Sequence, residues 1–149
     1  MEYESKMMNN VRIDSQDVGR KYFDLIYVRN KEDIIKSCED SLRRLNTEYI
    51  DVFLFHCGDY ELEKAPMVLE TLEQLVDSGK IRYYGWSTSD INRAKIFAQG
   101  KHCAMMEFAE NVMEDDPAMR KFCLDNDLAG CCRSPLAMGI LTGKYNKNT

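Results

Sequence analysis

Ser41-Leu42-Arg43-Arg44-Leu45-Asn46-Thr47-Glu48-Tyr49-Ile50-Asp51-Val52-Phe53-Leu54-Phe55-His56 contains the change of hydrophobic period that decides how this chain folds. Upstream of Asn46 the apolar residues Ile34, Ile35, Cys38, Leu42 and Leu45 recur at helical spacing, with charged residues between Lys36 and Arg44 on the other face. That pattern predicts an amphipathic helix. After Asn46-Thr47 the run Tyr49 to His56 is almost continuously apolar. A sheet with one wet face would alternate, so the run predicts a strand covered on both faces, as in parallel sheets flanked by helices.

The same helix-then-strand rhythm repeats downstream. A helix starting near Pro66 turns Val68, Leu69, Leu72, Leu75 and Val76 inward and stops at Ser78-Gly79, where glycine suits a left-handed cap. A strand follows from Ile81 to Trp86, then N-cap candidates in Ser87-Thr88-Ser89-Asp90 and a helix with Ile91, Ala94, Ile96 and Phe97. Cys103 to Phe108 reads as a third strand. Asp115-Asp116-Pro117 supplies an acidic cap and a first-turn proline for a helix with Met119, Phe122 and Cys123, ahead of a fourth strand from about Leu128 to Cys132. Before Lys31 the rhythm is absent, and Asn9 to Arg29 reads as a long surface loop. The chain therefore divides into residues 1–30, which lack the rhythm, and 31–149, a run of βα units. Such units build either an open parallel sheet or part of a closed barrel, which typically takes about 250 residues. Periodicity alone leaves both open.

Bulk properties narrow the function classes. A chain of 149 residues with 44% hydrophobic and 30% charged residues has enough apolar material for one domain with a core. Its net charge of −5, with basic residues interspersed among acidic ones, offers no field for nucleic acid. No run approaches the roughly 20 apolar residues of a membrane span, and Met1-Glu2-Tyr3-Glu4 does not start a signal peptide. The expected location is cytoplasmic. The six cysteines lack zinc-type spacing and sit mostly among apolar residues, which fits a reducing compartment. Cys131 and Cys132, neighbours in a strand, are expected as two buried small hydrophobes on opposite faces rather than a metal or redox pair.

Three motifs carry a family resemblance. The opening stretch resembles the SLxRLxTDYIDLxxxH segment of the aldo-keto reductases. Gly79-Lys80-Ile81-Arg82-Tyr83-Tyr84-Gly85-Trp86-Ser87 is similar to that family's GKIRxxGxS, and Ser134-Pro135-Leu136-Ala137-Met138-Gly139-Ile140-Leu141-Thr142-Gly143-Lys144-Tyr145 to its SPLAxGxLTGKY. The resemblance spans Asp33 to Tyr145 and implies an α/β fold, a partial (β/α)8 TIM barrel of about four to five βα units. It implies reduction of a small aldehyde or ketone by hydride from NADPH or NADH.

What the resemblance implies for the site is uneven. His56 matches the histidine that orients the substrate carbonyl, at the strand end where barrel active sites gather. Glu4-Ser5-Lys6 resembles the strand end that carries the family's lysine, which makes Lys6 the candidate beside an exposed terminal lysine as the plain alternative. The aspartate and the proton-donating tyrosine belong to a DTAxxYGxxE motif that this sequence does not contain, so the chain is expected to hold an incomplete site. Ser87 and Thr88 would bond the nicotinamide carboxamide, although many relatives have asparagine at the position of Thr88. Glu107 stands for a glutamine with the same task, and a carboxylate accepts but does not donate. Arg133 stands where many members stack a tyrosine under the ring, and a planar guanidinium also stacks. Ser134, Leu136, Gly139 and Leu141 would approach the pyrophosphate and ribose. Singly, each has a plain reading: Ser87 and Ser134 as caps, Glu107 as a strand-end acid, Gly139 as a turn residue. No metal site is expected, and the family's adenosine-phosphate segment is expected beyond Thr149. The competing class is a non-catalytic, self-associating or regulatory module, with a homodimer covering the open sheet edges.

Overall fold

The computed structural model describes residues 30–57 and 60–145. Lys6 and the loop expected before Lys31 lie outside the described residues. Helix α1 spans Lys31–Leu45, β1 Ile50–Phe55, α2 Ala65–Asp77, β2 Ile81–Ser87, α3 Ile91–Phe97, β3 Cys103–Ala109, α4 Pro117–Asp125 and β4 Ala129–Arg133. A short 3-10 turn, Leu62–Lys64, leads into α2, and a second irregular 3-10 segment, Ala137–Thr142, follows β4. The four strands form one sheet in the order β1-β2-β3-β4, parallel at every pairing, with a helix between each pair of neighbours.

Local chemistry sets the element ends. The Asn30 side chain accepts from the Asp33 N–H to start α1, and Asn46 in the left-handed region (φ 52°) stops it. Gly79, also left-handed (φ 73°), follows the end of α2 as the sequence predicts. Asp90 and Asp116 cap α3 and α4, and Pro117 fills the first turn of α4 where no N–H partner is needed.

The core lies between the sheet and its helices. Val68, Leu72 and Leu75 of α2, Ala94 and Phe97 of α3, and Met119 and Cys123 of α4 pack against Phe53, Phe55, Tyr84, Trp86, Met106 and Phe108. At its centre the Trp86 ring stands 4.5 Å from Phe97 and 5.2 Å from Phe55, centroid to centroid. The Trp86 Nε1–H donates to the Cys57 carbonyl at 3.0 Å, so a fully buried indole keeps its polar bond.

Two expectations are corrected. The first strand is a residue shorter at each end than the run Tyr49 to His56; Tyr49 and His56 are both exposed, because Ile50 and Phe55 are the outermost residues held by pairing to β2. Cys131 is half-buried and Cys132 exposed, so they are not a buried pair. Their faces do alternate, but among the described residues β4 pairs only with β3, and four of its five residues remain exposed. The described residues include all six cysteines, and none is in a disulfide.

Candidate functional site

Residue alternation along three paired strands collects the candidate residues on one face. Phe55, Trp86, Met106 and Phe108 point into the helix layer. Ser87 follows Trp86, and Glu107 lies between Met106 and Phe108, so both point to the opposite, inner face. Register places them side by side: Ser87 pairs with Glu107, Glu107 with Cys131, and Ala109 with Arg133. His56 follows Phe55 as Ser87 follows Trp86, and Phe55 pairs with Trp86. His56, Ser87 and Glu107 thus form a row across the C-terminal ends of β1, β2 and β3, with Cys131 opposite Glu107 on β4 and Arg133 on the same face two residues further, opposite Ala109.

Ser87 and Glu107 are buried, at 3% and 9% exposure, while His56 and Arg133 are exposed. The Ser87 Oγ–H donates to Glu107 Oε1 at 2.7 Å. Beneath the pair, Gly85 lets β2 and β3 approach: a Cβ there would lie 2.2 Å from the Met105 carbonyl oxygen. Thr88 is buried and held by its backbone, whose N–H donates to the Glu107 carbonyl at 2.8 Å. Its Oγ1 accepts from the Asp90 N–H at 3.1 Å, which makes its side chain part of the turn into α3.

The remaining candidates follow β4. Ser134 is left-handed (φ 58°), as are Ala137, Met138, Gly139 and Gly143. Leu136 and Leu141 are exposed, and the Leu141 N–H donates to the Leu136 carbonyl at 3.2 Å, closing the segment into a compact turn. Asn111 is not among the site residues expected from the sequence. In the structure its Nδ2 donates to the Ser134 carbonyl at 3.1 Å while its Oδ1 accepts from the Met113 N–H, so it anchors the post-β4 turn to the end of β3. Nothing local announces that role, because 23 residues separate the partners. Among the described residues no group of three or more His, Cys, Asp or Glu is arranged to hold a metal, and no helix is long and apolar enough to cross a membrane.

Comparison with known proteins follows the same lines. The model of the aldo/keto reductase family matches residues 9–149. The chain is similar to the NADP(+) aldo-keto reductase yakc of Schizosaccharomyces pombe, 29% identical over 126 residues that cover 79% of this chain and 36% of that protein. It is similar to the aldo-keto reductase YhdN of Bacillus subtilis, 30% identical over 120 residues with the same two coverages. Among solved structures, the glycerol dehydrogenase of Gluconobacter oxydans superposes with a TM-score of 0.74 at 28% identity, over 80% of this chain and 37% of that one. An aldo/keto reductase from Klebsiella pneumoniae in complex with NADP and acetate superposes with a TM-score of 0.64 at 29% identity, over 78% and 43%. The chain thus spans about a third of the length of the curated relatives it matches, and its four parallel strands correspond to part of their barrel.

Proposed function

The chain belongs to the aldo/keto reductase family, and on that premise we propose that it carries the carbonyl-orienting and nicotinamide-binding side of an NADPH- or NADH-dependent reductase of small aldehydes or ketones. The observation that supports this most is the row His56, Ser87 and Glu107, with Arg133 on the same face two residues beyond it, at the C-terminal strand ends where barrel enzymes build their sites. The chemistry of the residues fits the cofactor. Ser87 and Glu107 offer acceptors to a carboxamide –NH2, Arg133 offers an exposed planar cation for stacking, and Gly139 at φ 96° has the Lys144 ammonium beside it, 3.1 Å from where a Cβ would stand, as a cation for a phosphate.

A bound reduced nicotinamide supplies the hydride. His56, at the exposed end of β1, would hold the substrate carbonyl by a ring N–H and fix its approach. Thr88, Ser134, Leu136 and Leu141 complete the cofactor side of the reading, and Lys6 is the candidate for the lysine that assists the proton donor. No tyrosine of these 149 residues stands in a DTAxxYGxxE context, so the chain alone is weak or inactive. A self-associating, non-catalytic role is the second reading; the exposure of β4 and of Val112, Met113, Leu136, Met138 and Ile140 favours it.

The test is an assay of the purified chain with NADPH and a reactive aldehyde, paired with a cofactor titration. No turnover above background is expected, since a missing proton donor alone removes a factor of about 100 or more. NADPH binding is expected to be weaker than about 10 μM, roughly 7 kcal/mol, and weaker again in Ser87→Ala. Turnover that disappears in His56→Ala would overturn the inactive reading, and binding that ignores Ser87→Ala would overturn the cofactor reading.

A further inference from the structure

The buried pair Ser87 and Glu107 is short of donors. Ser87 has one hydroxyl proton and spends it on Glu107 Oε1 at 2.7 Å. Its remaining lone pairs and both carboxylate oxygens accept only. Among the described residues no lysine, arginine or histidine forms an ion pair with Glu107. The inner face therefore presents, at 9% exposure and beside a hydroxyl that has already given its proton, a carboxylate that no cation among the described residues pairs with, the exposed Arg133 standing two residues beyond Cys131, the β4 partner of Glu107.

We propose that Glu107 makes this subsite select the oxidised, cationic nicotinamide over the reduced, neutral one, and the carboxamide over the corresponding carboxylic acid. The inference rests on the cofactor reading above and deepens it. A pyridinium ring bears a positive charge that the dihydropyridine lacks, so a carboxylate a few ångströms away stabilises one form and not the other. Both Ser87 and Glu107 accept from an amide –NH2, whereas a carboxylic acid, ionised at neutral pH, brings a second negative charge and no donor. A glutamine at the same position would carry no charge and would add two N–H donors, which removes both preferences.

The experiment is an NMR titration of the full chain, following the Ser87 and Glu107 amide signals, with three small ligands: nicotinamide mononucleotide oxidised, the same compound reduced, and oxidised nicotinic acid mononucleotide. These ligands need no adenosine-phosphate site, and the method reads millimolar affinities. The expected result is that the oxidised amide binds about tenfold or more tightly than either of the others, and that Glu107→Gln, nearly isosteric, brings the three within about threefold of one another. Equal binding of oxidised and reduced amide, or a preference that Glu107→Gln leaves intact, would overturn the proposal while leaving the cofactor reading standing. If none of the three ligands moves these signals, the cofactor reading fails and takes the proposal with it.

Discussion

At the scale of single residues, a carboxylate held by three polar contacts lies away from the candidate site. The Glu73 carboxylate on α2 accepts from the Tyr84 hydroxyl at 2.5 Å, from the His102 backbone N–H at 3.1 Å, and meets His102 Nδ1 at 2.6 Å. Burial works against its ionised form, yet the bonds from Tyr84 and His102 outweigh burial and hold the carboxyl below its ordinary 4.5. Burial first and Glu73 second push the Tyr84 hydroxyl well above its ordinary 10. The signs follow. A depressed carboxyl contributes stability that is complete above its unfolded value and is lost as pH falls through the folded one; a raised phenol contributes stability that is lost only as pH rises through its folded value. Tyr84→Phe should therefore cost about 1 to 3 kcal/mol at neutral pH, where a charged acceptor loses its donor. The gap to the unmodified chain should narrow below about pH 4.5. Chemical denaturation at several pH values measures this, and a gap independent of acid would mean that the hydroxyl contributes packing only. Glu73 and Tyr84 are 11 residues apart and Glu73 and His102 are 29 apart, so neither helical nor strand periodicity connects them. The helix caps were legible in the sequence because Asp116-Pro117 and Ser78-Gly79 act on their own neighbours. The left-handed Ser134, Ala137 and Met138 were not, since no residue type there demands a positive φ.

At the scale of elements, the contact between β2 and β3 matters most, because it fixes the Ser87 and Glu107 pair. The ladder shifts register between Tyr84 and Gly85, then runs regularly through Gly85↔Met105 to Ser87↔Glu107. Gly85 faces the inner side, and an added methyl would meet the Met105 carbonyl oxygen at 2.2 Å and Leu54 Cδ2 at 2.9 Å. The leucine end can rotate away; a backbone carbonyl in a parallel ladder cannot. Gly85→Ala should destabilise the chain by about 1 to 3 kcal/mol or more, as expected for overpacking against backbone. It should also move the Ser87 and Glu107 amide resonances more than those of α1, on the far side of β1. A neutral substitution with unchanged spectra would show that β2 can slide and that the close approach is not what sets the pair. The sequence made the elements themselves readable, because the helix periods and apolar runs are local. How the ends of β1 and β4 are covered was not readable: it depends on which strands lie beside them, and the buried reading of Cys132 failed for that reason.

At the scale of the whole molecule, the chain folds its helix-facing side into a dense core while the inner side is covered unevenly. Leu54, Met105 and Ala109 are buried there, yet Tyr83 is half-exposed and β4 is open along nearly its whole length. Around the C-terminal ends, Val112, Met113, Leu136, Met138 and Ile140 add apolar surface. Scattered apolar residues are ordinary on a protein surface, but an edge strand with unpaired backbone groups beside several of them is a template for association. A closed barrel removes such edges by pairing its last strand with its first. Among the described residues β1 and β4 are instead the two outer strands of one sheet. Two copies related by a two-fold axis would cover the same patch on each, the commonest solution for a self-complementary surface. The purified chain should accordingly sediment as a dimer or larger species at micromolar concentration. Its unfolding midpoint should rise with concentration, because the folded form is then linked to association by mass action. Ile140→Lys or Met138→Lys, at residues exposed and outside the core, should weaken association without lowering the stability of the separated chain. A cooperatively folded monomer whose midpoint ignores a hundredfold dilution would overturn the argument and show that the chain covers its own edges.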